Sequence, residues 1–208
     1  MKKTVSILAL VLLLAGCNLS PFHDNFSKED GKEVLAKATF KEETIDSMAT
    51  VEVYASMSPG NRFKRPDALL YYSDPFKELY TLVFRQTRAD FNTSILGEKD
   101  LLEKSRRDGS SAVGLYGDYV ADEDAHRIED GQYNLLGEKK LHNLNFRSYS
   151  ITGHLGKMQL FYLVGVYESP HYFHQVVVWT LASRRDLYEG IMTKMIESLR
   201  ENPTGTLQ

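Results

Sequence analysis

Two histidines, His171 and His174, stand three apart in the stretch SPHYFHQ. An H-x-x-H pair offers two imidazole nitrogens to a metal, but a zinc site takes three or four ligands. A pair at a turn also lacks the i, i+4 helical spacing that H-E-x-x-H zinc proteases use. The pattern predicts hairpin-tip histidines that face solvent, and no metal. A second group is acidic: Asp118, Asp122, Glu123, Asp124, Glu129 and Asp130. Their spacing does not match the calcium loop of an EF-hand, so the expectation is a solvated acidic loop. Nucleophilic chemistry has serines and histidines to draw on but no G-x-S-x-G elbow. Gly109-Ser110-Ser111 reads as loop material and RSYSITG as a strand. No phosphate-binding P-loop and no G-x-G-x-x-G stand anywhere in the chain. With no constellation that meets the geometric needs of a catalyst, the expectation is a non-enzyme without a cofactor. Tyrosine is enriched at protein interfaces, so Tyr71, Tyr72, Tyr162, Tyr167, Tyr172 and Phe173 are candidates for an interface. Cross-strand packing inside a sheet is the commoner fate of such residues and is the expectation here.

The chain's one cysteine, Cys17, sits at the end of the run LVLLLAGCNLS. Lys2 and Lys3 precede an apolar stretch from Val5 to Ala15, broken only by Ser6. That stretch is about half of the ~20 apolar residues needed to span a bilayer, so it reads as a secretory signal. Leu14-Ala15-Gly16-Cys17 resembles a bacterial lipobox. The resemblance implies a thioether-linked diacylglycerol on Cys17, cleavage before it and acylation of the new amino group. Cys17 is then a lipidation site, and multiple acyl chains give stable anchoring where one would be marginal. Asn18, in place of Asp, leans toward the outer membrane facing the periplasm if the cell is Gram-negative.

Removing residues 1–16 from 208 leaves 192, enough for one domain and a tether. The loss of Lys2 and Lys3 moves the formal charge from −3 to −5. Nonspecific nucleic-acid binding needs a basic face, so no nucleic-acid partner is expected. No later apolar run approaches membrane-spanning length; the longest, near Leu160–Val166, is strand-sized. The expected organisation is a signal peptide over 1–16, a lipidated tether over 17–30 and a single domain over 31–202.

The elements follow from periodicity. Residues 29–39 predict a short helix with Val34, Leu35 and Ala38 on one side. TVEVYASMSP alternates apolar and polar residues as a half-buried strand ending at Pro59-Gly60-Asn61. DALLYYSD and ELYTLVFRQT form a hairpin around Asp74-Pro75. LGEKDLLEKSRRD predicts a surface helix. Residues 109–131 read as an irregular excursion, with a helix as the alternative. NFRSYSITGHLG, KMQLFYLVGVYES and YFHQVVVWTLA are three strands joined by short turns, which makes an antiparallel meander. An amphipathic helix follows over Ser183–Glu201, with Ser183 as cap and Asp186 three residues on. Leu187, Ile191, Met195 and Leu199 lie on its buried face.

This order of elements resembles the PsbP-like fold, shared by photosystem oxygen-evolving subunits, nuclear-transport Mog proteins and bacterial DcrB-type lipoproteins. The stretches that carry it are VEVYASMSPG, LYTLVFRQT, LNFRSYSITGHLGKMQLFYLVGVYES and HQVVVWTLASRRDLYEGIMTKMIESL, roughly residues 49–200. The fold class is therefore α+β, an antiparallel meander packed by helices that include the C-terminal one. The resemblance implies a binding or accessory role and brings no catalytic residues with it. The expected function is a non-catalytic binding or assembly module held at the cell envelope by lipid on Cys17, with an envelope protein as partner. The competing class is a ligand-binding or hydrolytic envelope enzyme. It requires His154, His171, His174 and the acids of 118–130 to converge on one cleft.

Overall fold

A computed structural model describes residues 26–60, 66–91 and 111–202. Cys17, the signal and tether residues up to 25, and the surface helix expected over residues 96–108 lie outside these described residues. Helix α1 (Lys28–Lys37) starts where Ser27 and Asp30 cap one another. The Ser27 hydroxyl accepts from Asp30 N at 3.3 Å, and the Asp30 carboxylate accepts from Ser27 N at 2.7 Å. This reciprocal box satisfies two of the backbone donors that a helix start leaves open. It places the first helix at Lys28, inside the stretch read as tether. The helix stops at Lys37 because Ala38 turns extended and the chain enters a strand not foreseen, β1 (Phe40–Ile45). β2 (Ala49–Tyr54) returns antiparallel across a turn where Asp46 and Ser47 both have positive φ, 47° and 58°.

A second and larger sheet has seven antiparallel strands. They are β3 (Ser58–Pro59), β4 (Leu70–Asp74), β5 (Leu79–Thr87), β6 (Glu129–Leu141), β7 (Leu144–Leu155), β8 (Met158–Glu168) and β9 (Tyr172–Leu181). Their spatial order is β3-β4-β5-β9-β8-β7-β6. The hairpin around Asp74-Pro75 and the three-strand meander stand where the sequence placed them. β6 extends the meander by one strand, through a two-residue turn at His142 and Asn143 with φ of 50° and 67°. Positive φ at both central residues is the geometry whose twist matches a hairpin.

Both faces of the large sheet are covered. On one face lies the C-terminal helix, α4 (Arg185–Ile196), with α1 and the small sheet behind it. Ile191, Met192, Met195 and Ile196 pack there on Phe161, Leu163, Val176 and Val178. Gly31 lets α1 approach α4 closely, since a Cβ at that position would stand 2.0 Å from the Asp186 carbonyl oxygen. On the other face, α3 (Ala112–His126) lays Val113, Tyr116 and Val120 on Tyr149, Val164 and Val177. The short α2 (Arg88–Phe91) adds Phe91 to this second core. A sheet covered twice explains why β8 and β9 carry almost continuous apolar runs.

Two expectations are corrected. The described part of the 109–131 stretch, from Ser111 on, is not an irregular excursion but chiefly helix α3, whose cap Ser111 accepts from Gly114 N at 3.0 Å. Nor does the C-terminal helix run over Ser183–Glu201. Residues 182–184 form a 3₁₀ turn, and α4 starts after Arg184, with no side chain capping it. It ends at Ile196, where the Ser198 hydroxyl donates to Met195 O and accepts from Glu52 N, both at 2.8 Å. The chain then pairs with the open edge of β2 as β10 (Arg200–Glu201), completing a small sheet of order β1-β2-β10. Leu199 is buried, but not as part of the helical face.

Candidate functional site

The two histidines of H-x-x-H part company. His171 is exposed in the β8–β9 turn. His174 is only 1% exposed on β9, which corrects the expectation that both face solvent. The reason is period two: His174 shares the face of Val176 and Val178, and β10 closes over it. Its Nε2 donates to Glu201 Oε1 at 3.2 Å, while Nδ1 finds no partner among the described residues. The His174 hydrogen bond holds the Glu201 carboxyl below its ordinary range, against the opposing effect of burial and with help from the Ser169 hydroxyl. Met48, Ser169, His171, Tyr172, His174, Glu201 and neighbours line a cleft of about 200 Å³.

Serine, histidine and glutamate thus meet in one place, but in the wrong order for acyl transfer. A nucleophilic serine needs the imidazole to touch its hydroxyl and the carboxylate to orient the imidazole. Here the carboxylate stands between the two. The Ser169 hydroxyl is held by its own turn, donating to Tyr172 O at 3.2 Å and accepting from Tyr172 N at 3.1 Å. The arrangement fastens β10 to β9 and so ties the small sheet to the large one.

His154 is far from this cleft. His174 lies opposite Tyr167, which lies opposite Phe146, and His154 is eight residues further along β7. At 3.3–3.4 Å per residue that separation is roughly 27 Å. The acids are dispersed too, and most are engaged. Asp118 accepts from Arg147 Nη2 at 2.7 Å and from the Tyr149 hydroxyl at 2.9 Å. Burial, reinforced by Asp118, pushes the Tyr149 phenol far up. Glu123 takes Arg127 at 3.1 Å, and Asp124 accepts from Gln175 Nε2 at 3.1 Å. Among the described residues no three metal-ligating side chains are grouped to hold an ion. The convergence required by the enzyme class does not occur in the described residues.

The singled-out aromatics mostly pack internally. Tyr162 stacks on Trp179 at 5.9 Å, and Phe173 stacks on Tyr116 at 4.2 Å. The Tyr167 hydroxyl donates to Ile196 O at 2.7 Å. Tyr72 is half-buried, and burial with a hydrogen bond to Glu43 pushes its phenol up to about 12.

The exposed apolar surface lies instead on residues the sequence reading passed over. Tyr133, Leu135 and Leu136 on β6 are 39%, 52% and 53% exposed, and Phe76 at the β4–β5 tip is 95% exposed. β6 is an edge strand, hydrogen-bonded on one side to β7 and without a strand on the other among the described residues. Its pairing jumps from Leu135–Tyr149 to Gly137–Ser148, so Leu136 is the extra residue of a bulge. A bulge re-aims side chains locally, and here two successive leucines both reach solvent. Glu129 and Asp130 stand before this patch, and Glu138, Lys139 and Lys140 after it. Beside it, an open cleft of about 350 Å³ runs between α3 and β6, lined by Asp122, Ala125, His126, Gln132, Tyr133 and Asn134 among others. The readable signal was Leu135-Leu136 set in a polar stretch, where adjacent leucines cannot both face one side of a regular strand.

No family model matches the sequence, and no curated protein does. Solved structures do share the architecture. The solution structure of cyanobacterial PsbP (CyanoP) from Synechocystis is similar at a TM-score of 0.53 and 12% identity, over 79% of this chain and 92% of that one. The crystal structure of LpqN, involved in cell envelope biogenesis of Mycobacterium tuberculosis, aligns at a TM-score of 0.48 and 9% identity, over 86% of this chain and 99% of that one. The antiparallel sheet packed by helices is the PsbP fold.

Proposed function

We propose that the chain is a lipid-anchored accessory module of the cell envelope, tethered through acylated Cys17 and acting by contact with another protein rather than by catalysis. One observation carries the reading: the exposed apolar patch of Tyr133, Leu135 and Leu136 on β6, a strand whose outer edge pairs with no strand among the described residues. Such an edge presents unpaired backbone donors and acceptors to an incoming strand. Strand addition draws affinity from those groups and specificity from pockets for alternate side chains. The cleft between α3 and β6 supplies a pocket of that kind. An apolar centre with charged flanks is also the usual anatomy of a protein interface. The sequence Leu14-Ala15-Gly16-Cys17-Asn18 supports an envelope location and favours the outer membrane, facing the periplasm, if the cell is Gram-negative.

The test is a mild crosslink and pull-down of the lipidated protein from its own membranes, beside Cys17→Ala and Leu135→Asp/Leu136→Asp. A reproducible envelope partner should appear with the native chain. The β6 double variant should lose at least tenfold of the recovered partner while remaining in the membrane with an unchanged melting temperature. A partner retained in full by that variant removes the edge from the reading.

A further inference from the structure

We infer that the β4–β5 hairpin tip carrying Phe76 is a second membrane contact, seated in the bilayer interface beside the acyl anchor. The inference rests on the lipid-anchor reading of Cys17 given above. Phe76 is 95% exposed between Pro75 and Lys77, and among the described residues no other large apolar side chain is as open. A single exposed apolar residue is ordinary in itself; its place in the molecule is what counts. Two positions on, Glu78 accepts from Arg184 Nε at 2.7 Å. The Arg184 guanidinium in turn lies 5.5 Å over the ring of Phe26. Phe26 is the first described residue, where the chain from Cys17 enters the domain. The hairpin tip and the entry point therefore meet on one arginine.

The reach of the tether is short. Nine residue steps separate Cys17 from Phe26, at most roughly 32 Å of extended chain. An acylated Cys17 therefore holds this end of the molecule near the bilayer. Sheet pairing places the β7–β8 turn at the same end, since Tyr80 lies opposite Trp179 and Leu160 opposite Leu181. That turn carries exposed Lys157. Aromatic rings and long cationic side chains recur at the membrane–water interface, and this end of the sheet presents one of each. β6 lies at the opposite edge of the sheet from β4 and β5, so a bilayer under the hairpin leaves the β6 edge open to a partner.

The natural sequence makes the test direct, because Cys17 is the only cysteine and acylation blocks its thiol. The full lipidated Phe76→Cys chain is labelled at the new thiol with an environment-sensitive nitrobenzoxadiazole dye. It is then reconstituted into phosphatidylcholine–phosphatidylglycerol vesicles, with a parallel Leu136→Cys preparation. Incorporation of an alkyne-palmitate probe at Cys17 is read on the same preparations. The dye at position 76 should shift to the blue and be quenched at least twofold by lipids bearing a shallow nitroxide, while the dye at 136 stays water-like. A water-like dye at 76 on a chain acylated at Cys17 overturns the inference and leaves the anchor standing. A blue-shifted dye that lipid-borne nitroxide does not quench means that protein covers the hairpin, and also overturns it. A chain without acyl probe at Cys17 takes down the anchor reading and the inference with it.

Discussion

At the residue scale, the contact between His174 and Glu201 makes the fold sensitive to acid. Glu201 has its carboxyl held below the ordinary value of 4.5 in the folded chain. A carboxyl lowered by folding contributes stability that is fully present above its unfolded value and drains away as pH falls through the folded one. The loss should therefore lie on the acid side, below about pH 4.5. His171, Ser169 and His174 are the polar groups that reach this carboxylate. Replacing Glu201 by Gln should lower the melting temperature at pH 7 and flatten its fall between about pH 5 and pH 3 relative to the native chain. Circular dichroism melts across that range supply the comparison, and parallel curves would mean that other carboxylates dominate the acid transition. The same contact shows what residue types alone miss. H-x-x-H named the right segment, but whether His174 faced water depended on which strand, if any, would lie over it. Two residues at the far end of the chain decide that.

At the scale of elements, what the sequence disclosed follows from how periodic each element is. β8 and β9 are strand-length apolar runs and α4 has a four-residue apolar repeat, with short turns between them, so both their type and their order were legible. The α3 segment carries Val113, Tyr116 and Val120 at helical spacing, but four acids, Asp118, Asp122, Glu123 and Asp124, and two glycines, Gly114 and Gly117, masked it. β6 was missed because an exposed edge strand has little apolar alternation to show. β10 is two residues long and exists because β2 had an edge to fill, which no local pattern reveals. The candidate surface shared this fate: Leu135 and Leu136 belong to an element that was not seen. Caps are local chemistry and should have been easier. Ser27-x-x-Asp30 does cap α1, whereas Ser183-x-x-Asp186 has the same form and does not cap α4, because a 3₁₀ turn intervenes. Ser27→Ala should cost about 1 kcal/mol, and Ser183→Ala much less. Denaturant titration of the two variants decides it, and equal losses would put the cap at Ser183 after all.

At the scale of the molecule, one sheet is shared by two cores. The first core joins α4, α1 and the small sheet to one face; the second joins α3 and Phe91 to the other. Neither layer can leave without exposing a face of β8 and β9, whose side chains alternate between the two cores. Phe161, Leu163, Val176 and Val178 serve the first, and Tyr162, Val164, Val177 and Trp179 the second. Stripping either helix layer would uncover several large side chains at once, each worth about 1.5–3 kcal/mol when fully buried. The domain should therefore unfold as one cooperative unit, as small domains usually do. The natural probe is Trp179, the only tryptophan, which sits in the second core. Ile191 is fully buried in the first, and Ile191→Ala should cost about 2–5 kcal/mol. If the two cores are thermodynamically one, this change must move the Trp179 fluorescence transition as far as it moves the far-ultraviolet transition, although the residue lies across the sheet from the indole. A Trp179 transition that stays at its native midpoint while ellipticity falls earlier would mean that the α4 layer peels away from a surviving α3 layer. The β6 edge, packed mainly against α3 and β7, would then outlast the end of the molecule that carries the tether.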